Sequence, residues 1–350
     1  VVTAAATMRA LVFEEFGGPL RVVDVPAPEP STDGVVVRVG ATGVCRSDWH
    51  GWQGHDPDIT LPHVPGHELA GTIEAVGPGV RRWRVGDRVT VPFVCACGSC
   101  PRCVAGDHQV CDRQTQPGFT HWGSYAELVA LHAADVNLVA LPDELSLAAA
   151  AALGCRYATS FRAVMQQGRV RPGEWIAVHG CGGVGLSAVQ IAVAAGARVV
   201  AVDVSVGALE LASSLGAEAV LDVTGLDAAD AGQAVRVLTG GGAHLSVDAL
   251  GSTATCAASV LSLRPRGRHV QVGLLPAGTG VPMDQVVARE LELVGSHGMA
   301  AHSYPELLAL VASGRLRPDL LVTREISLDE AADALATVGS VPGVTVITRF

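Results

Sequence analysis

Residues 174–203, EWIAVHGCGGVGLSAVQIAVAAGARVVAVD, constrain the fold more than any other stretch of the chain. The apolar run Trp175–Val178 has the length of a buried strand. A glycine cluster follows, Gly180, Gly182, Gly183 and Gly185, and then an alanine-rich segment from Val184 to Ala195 with good helix propensity. Gly196 stops that segment, Arg198–Val202 reads as a second buried strand, and Asp203 stands at its end, 18 residues after Gly185. Glycines let the backbone turn tightly and approach a pyrophosphate, and the helix N-terminus offers its free N–H groups and positive dipole end. The acid can accept hydrogen bonds from an adenosine ribose. A lone G-x-G-x-x-G is weak evidence, but here strand, helix and acid are all in place. The reading is a dinucleotide-binding turn. Asp203 would repel a 2′-phosphate, and no Arg occurs among Val204 to Ala208, so NAD is expected rather than NADP.

A chain of 350 residues is long enough for about two domains. No apolar run reaches the ~18 residues of a membrane span. The start, VVTAAAT, lacks a basic leader, and Met8 opens a segment that looks like a natural beginning, so residues 1–7 are read as an upstream extension or a non-native addition and the protein as cytoplasmic. The formal charge is −10 with scattered basic residues, which argues against nucleic acid as a partner, and no membrane partner is expected. All 24 Lys-or-Arg positions are Arg. The absence of Lys excludes a Schiff-base or P-loop mechanism. Nine cysteines in a chain of this kind favour metal binding over disulfides.

Along the chain, Ala10–Phe13, Leu20–Val25 and Val35–Gly40 are β-like and separated by Gly and Pro breaks. Cys45 follows, with Arg46, Ser47, Asp48 and His50 close behind. Gly66-His67-Glu68 leads into a glycine-punctuated β segment, and Arg81, Arg82 and Arg84 read as a solvated face. His67 becomes a candidate nitrogen ligand when paired with Cys45. Cys97, Cys100, Cys103 and Cys111 are spaced x2, x2, x7 in one loop. Four thiolates so spaced can close tetrahedrally on Zn²⁺ with no open position, which is a structural site; an iron–sulfur cluster is the lesser alternative, and Cys95 lies outside the set.

Strands are expected again at Tyr125–Leu131 and Val136–Leu141, then a helix from Leu147 capped by Ser146, interrupted at Gly154-Cys155-Arg156 and resumed from Thr159 to Met165. After Asp203, helices Ala208–Leu215 and Ala228–Leu238 alternate with strands Ala219–Leu221, Leu245–Leu250, His269–Val272 and Leu291–Val294. With the two strands of the glycine motif, that makes the six-stranded, doubly wound parallel sheet of a complete Rossmann domain. The tail, 298–350, carries helical patterns at Tyr304–Ala312 and Leu328–Thr337 and a strand at Thr345–Thr348. It is too short for a core of its own and is expected to fold back on the first domain.

These residues resemble the zinc-dependent alcohol dehydrogenases of the medium-chain dehydrogenase/reductase family, of the microbial type. Gly66-His67-Glu68-x-x-Gly71-x5-Gly77-x2-Val80 matches the zinc signature of that family, the four-Cys lobe its structural zinc site, and 180–185 its cofactor turn. The resemblance implies an α/β protein in which a GroES-like, mostly β catalytic domain (1–157, with a zinc lobe at about 95–112) is joined to an NAD-binding Rossmann domain (158–296) and completed by a return segment (297–350). It implies two zinc ions per chain. The catalytic one would be held by Cys45, His67 and Cys155, the last not discoverable from spacing, and the structural one by Cys97, Cys100, Cys103 and Cys111. Glu68 is similar to the acid behind the catalytic metal, and Asp48 to the acid that orients the histidine.

The implied reaction is reversible: an alcohol oxygen loses its proton on zinc, and hydride passes to NAD to give an aldehyde or ketone. Ser47 and His50 resemble the proton relay. Arg46 resembles the pyrophosphate contact and Thr159 the carboxamide contact, while Val184 and Val272 are similar to positions along the cofactor. Trp52 and Phe93 match positions that line the substrate pocket. Two positions depart from the family pattern: Ala208 stands where a Lys often meets the ribose, and Val344 where a basic residue often meets the pyrophosphate. Both predict weaker cofactor holding. The short loop after Cys111 is similar to tetrameric members, so a homo-oligomer, tetramer over dimer, is expected. The alternative activity is NAD(P)H-dependent reduction of a larger carbonyl or an activated double bond in specialised metabolism. A zinc-stabilised cofactor-binding protein without chemistry is disfavoured by the complete Cys45, His67, Cys155 set.

Overall fold

The computed structural model describes residues 6–350, so most of the expected upstream extension, residues 1–7, lies outside the described residues. The chain gathers into two compact units, one of Val1–Cys155, Gly298–Ala312 and Pro318–Phe350, the other of Arg156–His297 and Ser313–Arg317. Among the described residues no helix is long and apolar enough to cross a membrane.

The first unit is mostly β because its apolar runs are short and broken by Gly and Pro, so each can bury only one face. β1 (Thr7–Val12) and β2 (Arg21–Pro26) form an antiparallel ribbon. β3 (Val35–Val44) is the long central strand, and β4 (Leu69–Val76) and β6 (Leu128–Leu131) pair antiparallel with it. β5 (Arg88–Thr90) extends the sheet through β4. The apolar side chains of β3, β4, β5 and β6, among them Val35, Val37, Leu69, Ile73, Val89 and Leu131, make one core.

Two expected strands differ. Only Leu128–Leu131 of Tyr125–Leu131 forms a regular strand, because Tyr125 is held by Leu11 N–H donating to its carbonyl. Val136–Leu141 divides into a helical turn, Ala134–Asn137, and a two-residue β7, Val139–Ala140. Ala133 turns left-handed at φ +48°, and the Asn137 amide ties this turn to both backbone groups of Ala96. An unexpected helix, α1 (Arg46–Trp52), follows β3. Arg81, Arg82 and Arg84 are all exposed, as a solvated face requires, and Asp135 accepts the backbone N–H groups of Arg81 and Arg82.

Ser146 Oγ accepts from Ala149 N–H at 3.2 Å and caps α2 (Leu147–Ala151), a cap worth about 1 kcal/mol. The expected interruption at 154–156 is a π-helical segment, Leu153–Tyr157, and a second π segment spans Arg162–Gln167. Such widened turns re-aim side chains and occur often at functional sites.

In the second unit the six expected parallel strands are present: β8 (Trp175–His179), β9 (Arg198–Asp203), β10 (Ala219–Asp222), β11 (Ala243–Asp248), β12 (Leu263–Gln271) and β13 (Glu292–Gly295). Their order is β10-β9-β8-β11-β12-β13. The chain starts mid-sheet, runs to one edge and then to the other, so the strand order reverses beside β8, where such sheets bind ligands. Every residue of β8 is buried, as a strand covered on both faces requires. α3 (Gly183–Ala194) follows the glycine turn.

The tail returns to the first unit. β14 (Val322–Ser327) pairs parallel with β15 (Val344–Arg349), which pairs antiparallel with β3 through Thr345, Val346 and Ile347. The helical pattern 328–337 resolves into a 3₁₀ turn, Leu328–Glu330, and a helix, Ala331–Ala336.

Candidate active site

Cys45 ends β3, and α1 begins at the next residue. Asp48, in the first turn of that helix, points back into the protein because Cys45 N–H donates to its Oδ2 at 3.1 Å. The same carboxylate accepts from Gly66 N–H at 3.0 Å, His67 Nδ1 at 2.8 Å and Tyr125 OH at 3.1 Å. Four donors saturate a buried acid whose charge would otherwise be costly. Since a carboxylate only accepts, Nδ1 of His67 carries a proton, and Nε2 offers its lone pair when the ring is neutral, as it must be to bind a metal. That Nε2 is buried and has no hydrogen-bond partner.

Cys45, His67, Glu68 and Cys155 each offer one ligand atom, and the four atoms lie within 4.8 Å of one another. Cys155 arrives on the first π segment, where Gly154 packs near the backbone of His67 and Glu68; an added Cβ would stand 3.5 Å from Glu68 Cα. Burial opposes a charged His67 ring, but Asp48 and Cys45 outweigh it and hold its pKa well above the ordinary value. Burial raises the Tyr125 and Tyr304 hydroxyls, aided by Asp48 and Cys45 at the first and by Cys155, Cys95 and Glu68 at the second. The cluster is buried and carries an orphaned imidazole nitrogen. Two thiols, an imidazole and a carboxylate so placed fit a divalent zinc ion.

The four-Cys lobe shows the same fit. Four ligands at about 2.3 Å from one tetrahedral centre stand about 3.8 Å apart. Cys97 and Cys103 Sγ are 3.9 Å apart, Cys100 and Cys103 3.4 Å, Cys100 and Cys111 3.7 Å, and none is in a disulfide. Backbone N–H groups of Ser99 and Cys100 bring the Cys97 thiol down to about 5, while burial pushes Cys103 up to about 12. Cys95 is separate: burial pushes its thiol up to about 12, and its Sγ donates to Pro92 O.

Around the first cluster, Phe93 lies 6.1 Å from His67 between ring centroids, and Phe119, which sequence reasoning did not single out, lies 5.2 Å away. Trp52 is half-buried, donates to Gly18 O and packs with Phe13, Ile59 and Phe119. Ser47 is half-buried and has no hydrogen bond to His50. The partner of His50 is His55, Nδ1 to Nδ1 at 2.9 Å, and burial, Arg46 and His55 lower the His50 pKa. Arg46 is exposed, donates to Val338 O and lies 4.4 Å over the Trp49 ring.

In the second unit the glycine turn has the shape the sequence calls for. Gly180 has φ +89°, and a Cβ on Gly185 would strike the carbonyl of Gly180. A Cβ on Gly182 would meet no protein atom, so the mouth of the turn is open at the N-terminus of α3. That shape has room for a pyrophosphate. Asp203 Oδ2 accepts from Cys181 N–H at 2.5 Å, and Oδ1 from Val204 and Ser205 N–H at 2.8 Å each. The acid therefore ties the glycine turn to the end of β9. Thr159 Oγ1 is buried without a partner. Val184 lies in the first turn of α3, and Val272 follows β12 with its N–H on Asp248 O. Ala208 and Val344, the two departures, are buried apolar positions.

Residues 31–143 match the alcohol dehydrogenase GroES-like domain, and residues 183–313 the zinc-binding dehydrogenase domain. An alcohol dehydrogenase of Geobacillus stearothermophilus is 39% identical over 312 residues, 89% of this chain and 90% of that protein. One from Rhizobium meliloti is 36% identical over 313 residues, with the same coverage. The structure of an alcohol dehydrogenase from Thermus sp. ATN1 superposes with a TM-score of 0.89 at 34% identity, covering 98% of this chain and 100% of that one. A zinc-binding dehydrogenase of Sinorhizobium meliloti, bound to NADP, superposes with a TM-score of 0.87 at 29% identity, covering 98% and 99%. With both profiles in chain order and relatives matched over nearly their whole length, this chain belongs to the zinc-type medium-chain dehydrogenase/reductase family and is an oxidoreductase.

Proposed function

We propose that the protein oxidises a primary or secondary alcohol to the aldehyde or ketone, reversibly, with NAD as hydride acceptor. The observation that carries this reading is the convergence of Cys45, His67, Glu68 and Cys155 around an imidazole nitrogen with no other partner. When bound, zinc there supplies Lewis acidity that favours loss of the alcohol proton, and NAD supplies the hydride acceptor.

The residues of the chain do the rest. Cys45, His67 and Cys155 hold the metal, and Glu68 stands by as a fourth donor. Asp48 keeps the proton of His67 on Nδ1 and its lone pair on Nε2. Phe93 and Phe119 exclude water and shape the alcohol site. Ser47 and His50 are the groups that would pass the released proton outward, although they share no direct hydrogen bond and His50 faces His55. In the second unit Gly180, Gly182, Gly183 and Gly185 receive the pyrophosphate, Asp203 the adenosine ribose, and the unpartnered Thr159 hydroxyl the carboxamide. The carboxylate of Asp203 disfavours a 2′-phosphate, which supports NAD over NADP.

The test is NADH formation with a panel of primary and secondary alcohols, before and after dialysis against a zinc-selective chelator. Activity that falls with zinc content and returns on adding zinc is the expected result. A rate indifferent to chelation overturns the reading.

A further inference from the structure

The cofactor turn lies at the carboxyl ends of the parallel strands. At their opposite, amino-terminal edge is a concavity of about 350 Å³ lined by arginines. Arg171 comes from the loop before β8, His244 from the start of β11, and Arg264, Arg266 and Arg268 from the R-P-R-G-R run that opens β12. β8 is five residues long, so this edge is roughly 17 Å from the glycine turn at about 3.3 Å per residue.

The hydrogen bonds inside the concavity do not balance. Trp175 N–H donates to His244 Nδ1 at 3.0 Å. A neutral imidazole has one acceptor nitrogen, so Nε2 must carry a proton. Burial and Arg264 lower the His244 pKa, which keeps the ring neutral. Yet Arg264 Nη1, which can only donate, stands 2.6 Å from that Nε2. Two donors face each other, and an acceptor seated beside the pair, with the Arg264 side chain drawn off the ring, would satisfy both.

Charge points the same way. Arg169 and Arg268 share Glu292, and Arg266 pairs with Glu290. Arg171 has no side-chain partner among the described residues, and Arg264 has only His244. Five guanidiniums line the concavity against one carboxylate, Glu174, and with the ion-paired Glu290 and Glu292 counted as well two positive charges remain on a chain of net charge −10. A dianionic tetrahedral oxyanion matches that surplus and the forked geometry of guanidinium donors.

We propose that this concavity is a second anion site that binds a phosphate group, with Arg264, Arg171 and the Nε2–H of His244 as its donors. The phosphate could be free or carried by a small metabolite.

The test uses the full chain with its metals and saturating NAD, so that the glycine turn is filled, in a phosphate-free buffer. Inorganic phosphate and glucose 6-phosphate are each titrated by calorimetry. Saturable binding of either, weakened about tenfold or more in Arg264→Gln, with NAD affinity unchanged, supports the site. Tighter binding of the sugar phosphate identifies a carried phosphate; equal or tighter binding of the inorganic ion identifies a free one. Arg171→Gln, at an exposed guanidinium, gives the same reading should Arg264→Gln alter the thermal midpoint. No saturable binding of either ligand, or unchanged affinity in both variants, overturns the proposal.

Discussion

Asp48 Oδ1 stands 2.8 Å from Nδ1 of His67, and both side chains are buried. The two residues are 19 positions apart, one in the first turn of a helix and the other just before a strand. The carboxylate decides which nitrogen of the ring can bind a metal. Asp48→Asn keeps the shape but removes the charge and gives Nδ1 a neutral partner. Zinc affinity at this site is expected to fall about 10–100-fold, with kcat/KM falling alongside. Metal content after dialysis, compared with rates on zinc-supplemented protein, checks it.

The cysteine lobe closes a loop with little apolar core beyond the sulfurs themselves, Ala96 and Val136. A metal bound there would supply folding energy for the loop. Cys103→Ser should reduce zinc from about two ions per chain to about one and lower the thermal midpoint by several degrees. Elemental analysis and a melting curve measure both. A variant that kept its full zinc content would place the second ion elsewhere.

Asp203 accepts three backbone N–H groups and is expected to meet the ribose as well. Asp203→Asn removes the charge that repels a 2′-phosphate. The KM for NAD should rise roughly tenfold, the cost of one charge-assisted hydrogen bond, while the KM for NADP falls. Steady-state kinetics with both cofactors give the ratio, and an unchanged ratio would relieve Asp203 of this role.

Burial pushes the His179 pKa down to about 3, with His269 adding repulsion. The unfolded ring titrates near 6.5, so between those values the unfolded chain binds the proton and the native one does not. Stability is therefore present above pH 6.5 and is lost as pH falls, at about 1.4 kcal/mol per unit from this residue. His179→Leu should flatten that part of the slope. Thermal midpoints of both proteins at pH 7.5 and pH 5 test it. The metal sites also weaken in acid, so the quantity compared is the difference between the two proteins.

What was legible in the sequence was contiguous. Trp175 to Asp203 carries its own strand, turn, helix and acid, so local sterics and propensity fix it wherever it sits. The four-Cys loop is equally local, because a ring of 15 residues closes without help from the rest of the chain. Strand limits were less secure where a side chain reached across the fold, as Asn137 does to Ala96 and breaks the alternation at 136–141.

Tertiary structure alone decided which residues meet. Cys155 carries no spacing signal, and only a π turn against the backbone of His67 and Glu68 delivers it to the cluster. Tyr125 and Phe119 look like ordinary core residues until Asp48 and His67 arrive beside them. The arginine concavity has no motif either, since its donors come from three different strand entrances brought side by side by the order of the parallel sheet. Backbone chemistry over a few residues is written in the chain, whereas a field of charge depends on distances that only the folded sheet sets.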